Sequence, residues 1–214
     1  MSKPFSKDDL SNQLEQDSNW RLREISDIKA AIRNADQVSR PTLLRAYVVL
    51  LYAHWEGHIR LCTSKYFEHI ALRKLPYTKL ERQFYINSFH VRLDSFFRSK
   101  GSVTEKNKFM ESILSSQNGR FQRLEPKLID TQSNLNSEVL SGLCEVCGIP
   151  FSHFENDTTF IDIIILKRRN QVAHGEESFV KEDEIDELAN RTIAIMRLYR
   201  NLLDNKVQLQ LYKV

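Results

Sequence analysis

Hydrophobic residues recur at helical spacing along most of the chain. Between residues 19 and 38 the apolar positions mostly fall three or four residues apart, and Ser39, Arg40 and Pro41 then interrupt the pattern. This spacing is typical of an amphipathic helix with one buried face. Segments with the same periodicity predict further helices at 41–72, 77–97, 108–114, 134–148, 157–174 and 182–202.

The helix predicted over 41–72 differs from the others because its middle is apolar nearly all round. Such a helix belongs at the centre of a bundle, or in an interface between two copies as well as in a core. Polar residues in this stretch need partners, because an unpaired buried charge is costly. Glu56 is the most demanding of them.

Few breaks interrupt the helical pattern, so we expect one domain over residues 1–214. The chain has five prolines and six glycines, with 41% hydrophobic and 28% charged residues, which favours a mostly helical globular protein. Residues 1–17 are polar and predict a loose or short helical lead-in. Residues 104–130 are interpreted as an insertion, and the alternation at 207–212 predicts a short strand or an extended tail.

Charge and cysteine content narrow the classes of protein. The net charge of +3 is too small to indicate a nucleic-acid binder by itself. Without an apolar run of 18 residues or a signal peptide, we expect a cytoplasmic protein with no membrane contact. The three cysteines do not predict a disulfide framework, and Cys144 and Cys147 lack further ligands for zinc, so we expect both to pack in the core.

The strongest chemical signal follows an apolar run that ends at Leu166. Lys167, Arg168 and Arg169 come directly after it. His174 follows, with a helix-stopping glycine behind it. A guanidinium binds phosphate with two parallel hydrogen bonds, and a histidine exchanges protons near neutral pH. Any one cation at a helix end has a structural explanation through the helix dipole, but their crowding favours a functional site.

These residues resemble the Arg-x4-6-His motif of the HEPN superfamily, in which a polar residue follows the arginine as Asn170 follows Arg169 here. Residues 51–57, Leu-Tyr-Ala-His-Trp-Glu-Gly, resemble a second landmark, found in the MAE-type branch of HEPN nucleases from prokaryotic toxin and defence genes. The resemblance covers about residues 20–205. It implies an all-α, HEPN-like helical bundle with a four-helix core, extra helices and the insertion.

The resemblance further implies a metal-independent endoribonuclease that needs no cofactor. In this reaction the RNA 2′-hydroxyl attacks the adjacent phosphorus, which leaves a 2′,3′-cyclic phosphate and a 5′-hydroxyl. Arg169 and His174 are the catalytic candidates, since histidine moves protons and arginine stabilises charge on phosphoryl oxygens. The reaction needs a base and an acid, so the resemblance predicts a symmetric homodimer whose two motifs share a cleft.

Three residues are candidates for supporting roles, each with an alternative. Asn170 orients the catalytic groups or the phosphate, or is only a polar residue at a helix end. Arg168 is a second phosphate ligand or a partner of Glu56. Glu56 itself forms a structural ion pair with one of the neighbouring arginines, or it orients the catalytic pair.

The partners that the resemblance implies are an RNA substrate such as tRNA or mRNA, a second copy of the chain, and an antitoxin or regulatory protein. The corresponding biological role is that of a toxin or effector in a toxin-antitoxin or phage-defence system. One alternative belongs to a different class of function. It is a non-catalytic HEPN-like module that binds RNA, a nucleotide or a protein through the same basic cleft.

Overall fold

Helices form nearly all of the regular structure. The computed structural model describes residues 2–90, 93, 96–97, 102–115, 119–131, 133–176 and 179–214. Its helices are α1 (Lys7–Asn34), α2 (Arg40–Leu72), α3 (Arg82–Asn87), α4 (Val103–Ser115), α5 (Ser137–Cys147), α6, which is π-helical over Phe160–Lys167 and α-helical over Arg168–Ala173, and α7 (Ile185–Gln208). Short 3-10 turns lie at Tyr77–Lys79, Pro126–Ile129, Phe151–His153, Glu155–Asp157 and Glu182–Glu184. The described residues contain two isolated β-bridges and no strand, so the predicted all-α fold is confirmed.

The first helix starts much earlier than predicted. Ser6 caps α1 through a reciprocal pair of hydrogen bonds: the Asp9 N–H donates to the Ser6 hydroxyl at 2.9 Å, and the Ser6 N–H donates to the Asp9 carboxylate at 2.8 Å. This capping box fixes the start of the helix at Lys7. The helix start predicted near residue 19 is therefore wrong, since residues 7–17 are neither loose nor a separate short helix but the beginning of α1.

The physical reason lies on the buried face of α1. Leu10 and Leu14 begin a buried stripe that Ile25 continues, but the positions between them belong to Asp17 and Arg21. These two charged residues are only 1% and 7% exposed. Because the stripe is polar in its middle, the apolar periodicity breaks there although the helix does not.

Asp17 is buried at the contact between α1 and α2. Its carboxylate accepts hydrogen bonds from Arg21 Nε at 2.8 Å and from His58 Nδ1 at 2.6 Å. Burial alone would raise the pKa of Asp17, but the bonds from His58 and Arg21 outweigh it and lower the pKa to about 2. Gly57 leaves room for this cluster, since a Cβ there would lie 2.9 Å from Arg21 Nη1.

The second helix lies at the centre of the bundle, as predicted, and packs against α1, α6 and α7. Its large side chains are buried, and two of them donate hydrogen bonds to backbone carbonyls of other segments. Tyr47 donates a hydrogen bond to the Ile185 carbonyl at 2.8 Å, and Trp55 donates to the Leu135 carbonyl at 3.3 Å. The predicted bounds of 41–72 agree with the observed Arg40–Leu72.

The last helix continues further than predicted. Residues 207 and 208 are helical, and the chain then turns so that Tyr212 is buried at 3% exposure. The Tyr212 carbonyl accepts a hydrogen bond from the Glu81 N–H at 2.9 Å. The strand or extended tail predicted over 207–212 is therefore wrong, because the buried positions follow a helix end and a turn.

The region interpreted as an insertion has two different parts. The helix predicted over 108–114 is confirmed as α4, in which no residue is buried. Phe121, in contrast, is 1% exposed, and its N–H donates to the Leu75 carbonyl at 2.9 Å. The stretch thus supplies a core residue, and its origin as an insertion stays a prediction. Of the helix predicted over 77–97, the structure has a 3-10 turn and α3, while positions 91–92 and 94–95 lie outside the described residues.

Cys144 and Cys147 are free thiols in the core, 0% and 1% exposed, as predicted. Burial raises the pKa of the Cys147 thiol to about 12. Both cysteines therefore serve as small apolar side chains. Among the described residues, no helix combines the length and the apolar character that a membrane span requires.

Candidate active site

The site is built on α6, and the first part of this helix anchors it. The apolar run predicted to be core is buried in part: Ile161 and Ile165 are each 2% exposed and line a small internal gap together with Trp55 of α2, whereas Ile163 is 49% exposed. What the sequence did not predict is the π-helical form of Phe160–Lys167. Such segments are uncommon and frequently lie beside functional residues.

The end of α6 determines where His174 lies. Gly175 has a φ of 76°, a left-handed conformation that glycine adopts without strain. The Gly175 N–H donates to the Val172 carbonyl at 3.1 Å, and the Glu176 N–H donates to the Gln171 carbonyl at 2.9 Å. This is the Schellman pattern of helix termination. It leaves His174 exposed as the C-cap, directly after the last helical residue, Ala173.

His174 shares one face of α6 with Asn170 and Lys167, since these residues are three and four positions apart. All three line an open depression of about 330 Å³. Two carboxylates, Asp162 and Glu176, border it as well. Asp162 is occupied, because it accepts hydrogen bonds from the Ser137 N–H at 2.7 Å and the Ser137 hydroxyl at 2.6 Å.

Arg169 lies on a different side of the helix. Its guanidinium stacks on the ring of Tyr52, with 3.9 Å from Cζ to the ring centroid. Its Nη2 donates to the Ser133 carbonyl and, at 3.4 Å, to Asn134 Oδ1. Five residues along an α-helix turn a side chain by about 500°, so Arg169 and His174 point about 140° apart. The described residues show no hydrogen bond between them.

Arg168 takes a third direction, towards the start of α7. It donates to Glu184 Oε2 at 2.8 Å. Partial burial would raise the pKa of Glu184, but the Arg168 hydrogen bond and charge lower it below its usual value. The predicted pairing of Arg168 with Glu56 is therefore wrong, because this arginine faces α7 rather than α2.

Glu56 has a partner that the sequence did not suggest. The Thr131 hydroxyl donates to Glu56 Oε1. Among the residues that the structure describes, Glu56 forms no ion pair with Arg168 or Arg169, and it makes no hydrogen bond with His174. Within the described residues Glu56 thus makes no direct contact with the neighbouring arginines or with His174, and its supporting role in the site stays a prediction.

A family model described as RiboL-PSP-HEPN matches residues 16–205. The chain belongs to this family. No curated protein and no solved structure matches it. Membership confirms the HEPN resemblance and the HEPN-like bundle, and it indicates an RNA-directed role as a ribonuclease or as an RNA-binding module. The MAE-type branch stays a prediction.

In this HEPN protein the sequence prediction missed Tyr52, although the residue stands inside the 51–57 landmark. The sequence pattern predicts that an aromatic residue in an apolar helix is part of the core. Only the packing of α2 on α6 shows that its ring supports an arginine. The site as a whole offers two kinds of chemistry. An exposed histidine can move a proton, and a fixed guanidinium can stabilise negative charge on a phosphate.

Proposed function

We propose that the protein is a metal-independent endoribonuclease, with Arg169 and His174 as its catalytic residues. The observation that carries this proposal is a difference between two adjacent arginines. Arg168 is neutralised by Glu184, whereas Arg169 has no carboxylate partner among the described residues. A positive charge that is held in place and not neutralised suits a phosphate.

The reaction needs two proton transfers. A base removes the proton of the RNA 2′-hydroxyl, the oxygen attacks phosphorus, and the bond to the 5′-oxygen breaks as an acid protonates that oxygen. His174 suits either task, and Arg169 stabilises the charge that develops on the phosphoryl oxygens. Asn170 lies on the same face as His174 and orients the substrate or the imidazole.

One chain supplies one histidine at this site, so the proposal includes a symmetric homodimer that brings two copies of His174 into one cleft. In such a dimer Arg169 of each copy also approaches the shared phosphate. The finer proposals are a toxin or phage-defence effector of the MAE-type branch, acting on tRNA or mRNA and controlled by an antitoxin or regulatory protein. They rest on the residues of the 51–57 landmark and on the exposed basic site.

The test compares wild-type protein with His174→Ala on total cellular RNA and on a tRNA pool, in excess chelator. We expect cuts that end in 2′,3′-cyclic phosphate, and a rate lower by about 10²–10⁴ in the variant, as for loss of a general acid or base. His153→Ala is the matched control, because His153 is also an exposed histidine at the end of a helical turn.

Intact RNA after incubation with folded wild-type protein would contradict the nuclease proposal. If the same protein retains RNA in a filter-binding assay, the alternative of a non-catalytic binding module takes its place. If His153→Ala and His174→Ala lower the cleavage rate equally, the substitutions damage the fold rather than the site.

A further inference from the structure

Tyr52 is a buried residue that is held at its hydroxyl and on one face of its ring. It is 4% exposed, and its hydroxyl accepts a hydrogen bond from the Leu135 N–H at 2.6 Å. The guanidinium of Arg169 covers one face of the ring at 3.9 Å. The aromatic plane thus has a set orientation, and so has the cation stacked on it.

The loop that fixes Tyr52 also fixes one edge of the guanidinium. Ser133 and Asn134, just before Leu135, accept the hydrogen bonds of Arg169 Nη2. Ser133 adopts a φ of 55°, which is rare for a residue with a side chain and turns its carbonyl within a tight bend. One short loop therefore holds both the ring and the arginine that lies on it.

The remaining nitrogens of Arg169 are differently placed. Its Nε is buried and has no hydrogen-bond partner among the described residues. Its Nη1 has no partner there either. An arginine held by a ring on one face and a loop on one edge, with its Nη1 donors left over, is prepared to receive an acceptor from outside the chain.

We propose that Tyr52 is the positioning residue of Arg169, holding its guanidinium for a substrate phosphate without touching the substrate itself. This rests on the proposed function, in which Arg169 binds the phosphate that reacts. A free arginine loses much rotational freedom on binding, whereas a stacked one has lost it already during folding. The ring is the essential part of Tyr52, because the guanidinium stacks on it, while the hydroxyl holds the ring to the loop through the Leu135 N–H.

Glu56 supports this arrangement from the same helix. Burial and the nearby Glu56 carboxylate raise the pKa of Tyr52 to about 12. The hydroxyl therefore stays neutral over the working range of pH, and the bond from Leu135 does not change with pH. Glu56 is held in turn by the Thr131 hydroxyl, at the start of the same loop.

The experiment compares Tyr52→Phe, which keeps the ring, with Tyr52→Leu, which removes it. We expect Tyr52→Phe to cleave within about twofold of wild type, and Tyr52→Leu to lose about 10- to 100-fold in kcat with a much smaller change in KM, as for a catalytic group that is misplaced. Tyr47→Leu is the control for stability. It removes a buried ring from α2 that is hydrogen-bonded to Ile185, and its folded fraction should keep the wild-type kcat.

A second measurement does not depend on activity. The Arg169 Hε resonance should carry a ring-current shift from Tyr52 that Tyr52→Phe keeps and Tyr52→Leu loses. Binding of a 2′-O-methyl RNA, which cannot be cleaved, provides a double-mutant cycle between Tyr52 and Arg169. Tyr52→Leu should weaken this binding in the wild-type background but not in the Arg169→Ala background.

The outcomes separate the two proposals. If wild-type protein binds RNA but does not cleave it, the nuclease proposal fails. The double-mutant binding measurement still tests the positioning role of Tyr52. If it cleaves and Tyr52→Leu leaves kcat unchanged, or weakens binding equally with and without Arg169, the positioning role is overturned. If wild-type protein neither binds nor cleaves RNA, both proposals fall.

Discussion

Asp17 shows how a single side chain can hold two helices together. It is 1% exposed, and two of its three hydrogen-bond partners, Arg21 and His58, are buried with it, while the exposed Trp20 donates to its other oxygen at 3.1 Å. Buried ion pairs of this kind contribute little when complete but cost much when broken, because the remaining partner keeps an unpaired charge or donor. The cluster is therefore a point at which α1 and α2 are strongly sensitive to one substitution.

We expect Asp17→Asn to lower the free energy of unfolding by about 3 kcal/mol at pH 7, since it leaves Arg21 without its counter-charge. Asp27→Asn is the control, because Asp27 is exposed on the same helix. Urea denaturation of both variants measures the difference. Equal stability of the two variants would contradict the role assigned to the cluster.

The same residue predicts a dependence on pH. The folded pKa of Asp17 is about 2, against 3.8 for an ordinary aspartate, so its contribution is complete above pH 4 and is lost as the pH falls towards 2. The advantage of wild type over Asp17→Asn should therefore shrink by about 2 kcal/mol across this range. Denaturation midpoints measured at pH 5, 3 and 2 test it, and a constant difference would contradict it.

At the scale of elements, two glycines inside helices have opposite reasons to be there. Gly57 of α2 faces the Arg21 guanidinium, whereas Gly142 of α5 has no atom within 4 Å of an added Cβ. Glycine in a helix interior is otherwise unfavourable relative to alanine. The first glycine is thus required by packing, and the second is not.

We expect Gly142→Ala to raise the free energy of unfolding by about 0.5–1 kcal/mol, the usual gain for this change in a helix. Gly57→Ala should lower it instead, because Arg21 must move away from Asp17. Thermal denaturation of the two variants side by side measures the sign of each effect. A gain in both would show that Arg21 adapts without loss.

The sequence predicts elements better than it predicts their contacts. Pro41 at the start of α2 and Gly148 at the end of α5 are local signals, and both helices lie where those signals place them. The start of α1 was missed because its buried face contains two charged residues, whose burial depends on their pairing with each other and on the bond from His58 of α2. Likewise, no residue near Tyr52 in the sequence predicts its contact with Arg169, since that contact depends on how α2 and α6 pack.

At the scale of the whole molecule, the site is incomplete in one chain. Asn170 and His174 lie together, Arg169 lies around the helix from them, and the described residues bring no second histidine to the depression. A two-fold axis near this end of α6 would supply the missing groups from a second copy. The homodimer is therefore the proposal on which the catalytic proposal most depends.

Mixing wild-type and His174→Ala protein tests the shared cleft. If both copies of His174 are needed, cleavage should fall with the square of the wild-type fraction once subunits have exchanged. If each chain acts alone, the rate should fall in direct proportion. Light scattering on the mixture confirms that dimers are present, and a linear decline with dimers present would contradict the shared cleft.

The π-helical form of Phe160–Lys167 has one more consequence, for how related genes can differ in length. In an α-helix the loss of one codon turns every later side chain by about 100°. A π-helical segment closes its hydrogen bonds one residue further along, so it holds about one residue more than an α-helix would need. A related gene that lacks the codon for this extra residue can therefore still encode an arginine and a histidine that point in the same directions as Arg169 and His174 do here.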